Sequence, residues 1–154
     1  MGEEIERKFL VKDDSFKRLS QGSKYRQGYL NSMKERVVRV RTINDNGFLT
    51  VKGITTGATR VEYEYEIPVK DADAMLDDLC EKPLIEKNRY KIKFEGFIWE
   101  VDEFFGENQG LTVAEIELER EDQPFEKPEW ISEEVTGDPK YFNSNLIQNP
   151  YSKW

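Results

Sequence analysis

The chain has 154 residues, carries 31 Asp/Glu against 23 Lys/Arg, and holds one cysteine and no histidine. That length suits one ordinary domain, and 9 Phe, 7 Tyr and 3 Trp provide for a core despite 35% charged residues. Without histidine there is no Ser-His-Asp triad, HExxH zinc site or histidine base, and one cysteine excludes a disulfide framework or a Cys-rich zinc site.

In chain order, the acidic opening Met1-Gly2-Glu3-Glu4 is unlike the basic, then apolar, start of a signal peptide. Alternating residues from Glu4 to Val11 predict a strand, and Tyr25–Leu30 a second. Arg36–Ile43 alternates into Asn44-Asp45-Asn46-Gly47, a hairpin signal, and Phe48–Lys52 returns. A strand Arg60–Pro68 precedes an amphipathic helix from Asp71 to Cys80, with Ala72, Met75, Leu76 and Leu79 on one side. Leu84–Phe94 and Phe97–Phe104 form a pair turning at Gly96, and Leu111–Glu121 is the last long strand. A short helix around Trp130–Glu134 follows, then a terminal helix capped by Asp138 with Pro139 at its first position. Cys80 and Trp99 read as packing residues. No apolar run approaches the ~20 residues of a membrane helix. The expectation is one cytoplasmic domain, 1–154, mainly β, with eight largely antiparallel strands able to close into a barrel and a few helices packed outside.

The strand faces are sorted by sign. Glu62, Glu64 and Glu66 share a face, as do Glu115, Glu117 and Glu119, whereas Lys87, Arg89, Lys91 and Lys93 line up on another strand. Arg39 and Arg41 oppose Val38 and Val40, and Glu4, Glu6 and Lys8 oppose Ile5 and Phe9. A soluble sheet can carry its charges outward, but like charges side by side cost free energy unless something offsets them. The inverted arrangement turns the charged faces into the lumen and packs Ile5, Val40, Tyr65 and Ile116 outside. Residues 1–60 hold 13 Lys/Arg against 7 Asp/Glu, and residues 61–154 hold 10 against 24. A lumen with one basic and one acidic sector suits a polyanion and divalent cations. A net charge of −8 disfavours generic nucleic-acid binding.

Glu4-Ile5-Glu6-Arg7-Lys8 resembles the ExExK pattern of the CYTH superfamily, the triphosphate tunnel metalloenzymes. The later elements Arg39-Val40-Arg41, Thr50-Val51-Lys52, Glu62–Glu66, Lys87–Tyr90, Val101–Phe104 and Glu115-Ile116-Glu117 resemble that family's successive strands in order. The ending Glu134–Leu146 resembles the short bacterial members. The resemblance implies a closed eight-stranded antiparallel tunnel that hydrolyses triphosphates with Mg²⁺ or Mn²⁺, inorganic triphosphate being the usual substrate of the short type. A class IV adenylate cyclase, a nucleoside or thiamine triphosphatase, and a non-catalytic polyphosphate-binding barrel are the alternatives. The histidine-bearing segment of the cyclase branch is missing.

By this resemblance Lys8, Arg39, Arg41, Lys52, Lys87 and Arg89 grip phosphate oxygens, Arg as a planar fork and Lys as a movable point charge. Glu4, Glu6, Asp102, Glu115 and Glu117 supply hard oxygen ligands for the metal. Glu62 or Glu64 takes the proton of the attacking water. Tyr29 faces the tunnel and pairs with Lys87, and Arg60 organises Glu62 and Glu64. The partner is a small-molecule triphosphate, not nucleic acid or a membrane; apolar barrel edges and the terminal helix leave room for a homodimer.

Overall fold

The computed structural model describes residues 2–154; Met1, in the acidic opening, lies outside them. Period-two hydropathy yields ten strands. They are Glu4–Val11 (β1), Ser23–Asn31 (β2), Val37–Ile43 (β3), Asn46–Lys52 (β4), Thr59–Arg60 (β5), Glu62–Ile67 (β6), Ile85–Phe94 (β7), Phe97–Phe104 (β8), Thr112–Glu117 (β9) and Ile131–Glu134 (β10). One α-helix, Val69–Asp78 (α1), follows β6, and short 3₁₀ turns fill several connections. Among the described residues no helix is long and apolar enough to cross a membrane.

Every pairing is antiparallel. The hydrogen-bonded path runs β10-β1-β9-β8-β7-β2-β3-β4-β6, with β5 joined to β1 off this path. The expected eight strands are thus corrected to ten, and the hydrogen-bonded path itself does not run as a continuous ring. Two short strands account for the count. Val61 divides the expected Arg60–Pro68 strand into β5 and β6. Ile131–Glu134, expected as helix, pairs with the edge of β1, Glu134 opposite Phe9 and Ile131 opposite Val11. Four residues cannot sustain a helix alone, whereas a strand edge offers them unpaired backbone groups.

The two-residue hairpins follow the turn signals. Asn44 takes φ +53°, and Glu95 and Gly96 take +49° and +82°, the left-handed geometry that matches strand twist. Gly47 is a strand residue instead of a turn residue: a Cβ there would lie 2.9 Å from the Ala72 Cβ and 3.0 Å from the Ile67 carbonyl. Its missing side chain lets α1 approach β4.

Outside the sheet, Val40 packs with Ala72, Leu76 and Cys80, seating α1. Cys80 is a free, buried thiol. The larger outer cluster joins Phe9, Ile92, Trp99, Val101, Ala114 and Ile116 to Phe16 and Trp130, with Ile5 against it. Trp99 meets Phe9, Phe125 and Trp130 edge-on or nearly so. Tyr65, expected to be packed, is 61% exposed, because among the described residues nothing covers the outer face of β6 there. The terminal helix shrinks to a 3₁₀ turn, Pro139–Tyr141, with the expected cap: the Asp138 carboxylate accepts from the Lys140 N–H. Beyond it Leu146 and Ile147 turn into the concave face and are buried.

Candidate active site

Along the inner face, four of the long strands pass from apolar to charged residues within one two-residue period. The runs are Val37-Arg39-Arg41 on β3, Ile85-Lys87-Arg89 on β7, Phe104-Asp102-Glu100 on β8 and Val113-Glu115-Glu117 on β9. The apolar members, with Tyr29 and Leu111, close around Leu146 and Ile147 and form a floor. Above it opens a polar cavity of about 230 Å³. Glu4, Glu6, Lys8, Tyr29, Arg39, Arg41, Lys52, Glu62, Glu64, Lys87, Arg89, Glu115 and Glu117 all line it. The inverted arrangement therefore holds, and the two signs alternate more closely than two separate sectors would.

Each cation has a neighbouring carboxylate. Lys52 Nζ lies 3.2 Å from Glu4 and 3.4 Å from Glu62. Arg41 reaches Glu64 at 3.3 Å, and Arg39 donates to the Thr50 hydroxyl at 3.1 Å. Lys8 lies 3.6 Å from Glu115 and 3.9 Å from Glu6. These are loose pairs by charge-assisted standards, and the buried Nε atoms of Arg39 and Arg41 have no partner among the described residues. Burial, with Arg39 and Arg89 beside it, holds the Arg41 guanidinium down to about 10. The basic wall thus keeps guanidinium donors that its neighbours leave without partners.

Deeper in, Arg89 grips Asp102 through two parallel hydrogen bonds of 2.7 and 2.8 Å. Lys87 Nζ touches the same carboxylate at 2.8 Å and donates to Asn143 Oδ1 at 2.8 Å. Burial pushes Lys87 down to about 7; Asp102 opposes that shift and Arg89 adds to it. Burial alone would raise Asp102, but Arg89 and Lys87 outweigh it and hold the carboxyl below its ordinary range. Asp102 is 1% exposed, and among the described residues it does not line the cavity. Its oxygens are committed to Lys87 and Arg89, so it serves to position those two cations.

The remaining acids are crowded. Burial, then Glu115 and Glu4, raise Glu6 well above the usual carboxyl range, while it shares a hydrogen bond with Glu115. Burial would also raise Glu115, yet Lys8, that hydrogen bond and Arg89 hold it well below. Glu117 is raised by burial and by Glu4, Glu100 and Glu62. Among the described residues no three acids stand close enough together to form a ready-made metal cage.

Two expected pairings differ. The Tyr29 hydroxyl accepts from Gln27 Nε2 at 3.1 Å instead of meeting Lys87, which Asp102 and Asn143 occupy. Arg60 donates to the Gly53 carbonyl at 3.1 Å rather than organising Glu62 and Glu64. Glu66 and Glu119 lie in solvent, and Lys91 is exposed. Sequence reasoning missed Glu100, Thr136 and Asn143, which also line the cavity. Glu100 was legible, two positions from Asp102 on the same face. Thr136 and Asn143 come from irregular chain with no period to read.

A family model described as CYTH domain matches residues 2–151. An inorganic triphosphatase of Acetivibrio thermocellus is 61% identical over 154 residues, covering all of this chain and 99% of that protein. An inorganic triphosphatase of Nitrosomonas europaea is 38% identical over 147 residues, 93% of this chain and 95% of its own. A crystal structure of an inorganic triphosphatase superposes with a TM-score of 0.64 at 35% identity, covering 93% of this chain and 96% of that one.

Proposed function

Because the chain belongs to the CYTH domain family, we propose that it hydrolyses inorganic triphosphate to diphosphate and phosphate with a divalent metal ion, Mg²⁺ or Mn²⁺. The observation that carries this reading is one polar cavity where six cationic side chains and a crowded set of carboxylates meet above an apolar floor. We read the sheet as a tunnel. In support, β5 pairs with β1, and Gly2 and Glu62 exchange backbone hydrogen bonds of 3.1 and 3.2 Å, drawing β6 toward β1.

Lys8, Arg39, Arg41, Lys52, Lys87 and Arg89 bind the phosphate oxygens, whose charge spreads over several atoms in the transition state. Arg39 and Arg41 bring unsatisfied donors, so a triphosphate replaces missing hydrogen bonds instead of breaking good ones. Asp102 holds Lys87 and Arg89 in place before substrate arrives.

Glu4, Glu6, Glu115 and Glu117 fit a divalent ion by chemistry and by crowding: hard oxygen donors, two of them pushed up by burial and then by like charges that a cation relieves. The lack of a preassembled cage suits Mg²⁺, which takes one or two carboxylates and completes its shell with phosphate and water. A bound ion supplies Lewis-acid neutralisation of the phosphate oxygens. Glu62 or Glu64, both at the cavity wall, accepts the proton of the attacking water.

Substrate choice is testable. Triphosphate is recognised through charge and oxygen atoms, while a nucleoside needs stacking or base-edge contacts. Among the described residues the aromatic ones lining the cavity are Tyr29, whose hydroxyl is engaged by Gln27, and Phe142, which lies under Lys8. Phosphate release with excess metal should give kcat/KM for inorganic triphosphate at least roughly tenfold above ATP or thiamine triphosphate, or ~1.4 kcal/mol. Equal efficiency on ATP, or cyclic AMP as the main product, would overturn the reading.

A further inference from the structure

Asn143 enters the cavity from the C-terminal segment, just before the residues that form its floor. Its Oδ1 accepts twice, from Lys87 Nζ at 2.8 Å and from Gln27 Nε2 at 2.9 Å. Lys87, held against the Asp102 carboxylate, meets the amide as a donor, so the amide atom facing it is the oxygen. That choice fixes the rest. Gln27 must present its nitrogen to Asn143, and the same nitrogen donates to the Tyr29 hydroxyl. Gln27 is fully buried and among the described residues its Oε1 has no partner, so the relay is held even with an acceptor left unsatisfied. An amide pinned through its oxygen has one remaining direction for its nitrogen. Among the described residues the Asn143 Nδ2 group has no hydrogen-bond partner, and the residue lines the same cavity as Arg39 and Lys87.

We propose that Asn143 is a further substrate-binding residue, whose Nδ2–H donates to a phosphate oxygen at the floor end of the cavity while Lys87 and Gln27 lock the amide by its oxygen. This rests on the triphosphatase reading and adds to it a neutral donor. Such a donor tells a phosphate oxygen from a metal ion or a lysine, which a point charge does only by sign. It also ties the floor to recognition: the segment that seals the apolar end delivers the contact.

The test uses the full chain, isothermal titration with inorganic triphosphate under metal chelation, and the ¹⁵N side-chain amide spectrum. The Asn143 amide pair is the one missing from the spectrum of Asn143→Asp. On saturation of wild type with triphosphate, one proton of that pair should shift downfield. Asn143→Leu should weaken triphosphate binding about tenfold, the loss of one hydrogen bond to a charged group. Asn143→Asp keeps an oxygen toward Lys87 and Gln27, so it should retain the wild-type melting temperature yet also lose affinity. Because the aspartate also adds a charge that repels triphosphate, the wild-type amide shift decides the matter if the leucine variant does not fold. An amide pair unmoved at saturation, or wild-type affinity in Asn143→Asp, overturns the assignment and leaves Asn143 a purely structural acceptor. Failure of wild type itself to bind or cleave triphosphate overturns the functional reading instead, and Asn143 with it.

Discussion

Glu6 sits buried beside Glu115 and Glu4, and its carboxyl is raised well above the ordinary range. A carboxyl raised on folding destabilises the folded state once it ionises, so this penalty grows as pH rises from about 4.3 toward the folded value. Glutamine mimics the protonated form. Metal-free Glu6→Gln should therefore melt above wild type at pH 8, with the gap closing toward pH 4. Added Mg²⁺ should raise the wild-type melting temperature and leave the variant nearly unmoved, which thermal melts in chelator and in metal will check. Asp102 behaves oppositely. Its removal strands two buried cations, so Asp102→Asn should cost about 3–5 kcal/mol in urea unfolding.

Among the elements, α1 depends on one missing side chain. Gly47→Ala would place a methyl group 2.9 Å from the Ala72 Cβ and 3.0 Å from a backbone carbonyl that cannot rotate aside. Overpacking of this kind should cost about 1–3 kcal/mol in equilibrium unfolding. Much of this level was legible in the sequence. Alternation placed the long strands, Asn44 and Gly96 marked their turns, and sorting by sign revealed that Arg39, Lys87 and Glu115 face inward. Other parts were not legible for physical reasons. β10 forms through pairing with a strand more than a hundred residues away, which no local pattern encodes. Val37, Ile85 and Phe104 belong to the inner face, but apolar residues ending a charged stripe look the same as residues leaving it. Asn143 lies in irregular chain, where its amide carries no positional signal.

For the whole molecule, the C-terminal segment completes the core from within. Leu146 is fully buried among Tyr29, Val37, Ile85, Phe104, Leu111 and Val113. Leu146→Ala should cost about 2–5 kcal/mol, and triphosphate affinity should fall with it, because Asn143 sits three residues earlier. Calorimetric melting and titration on the same sample would show the two losses together. The sealed floor also governs traffic. The floor fills the apolar end of the cavity, so on the tunnel reading diphosphate should leave by the polar end, where the next triphosphate enters. Exit then competes with arrival, and turnover should slow as diphosphate accumulates, in the pattern of competitive inhibition. A long polyphosphate should then be admitted only by its end, and chain-length analysis of its products would show terminal and not internal cleavage.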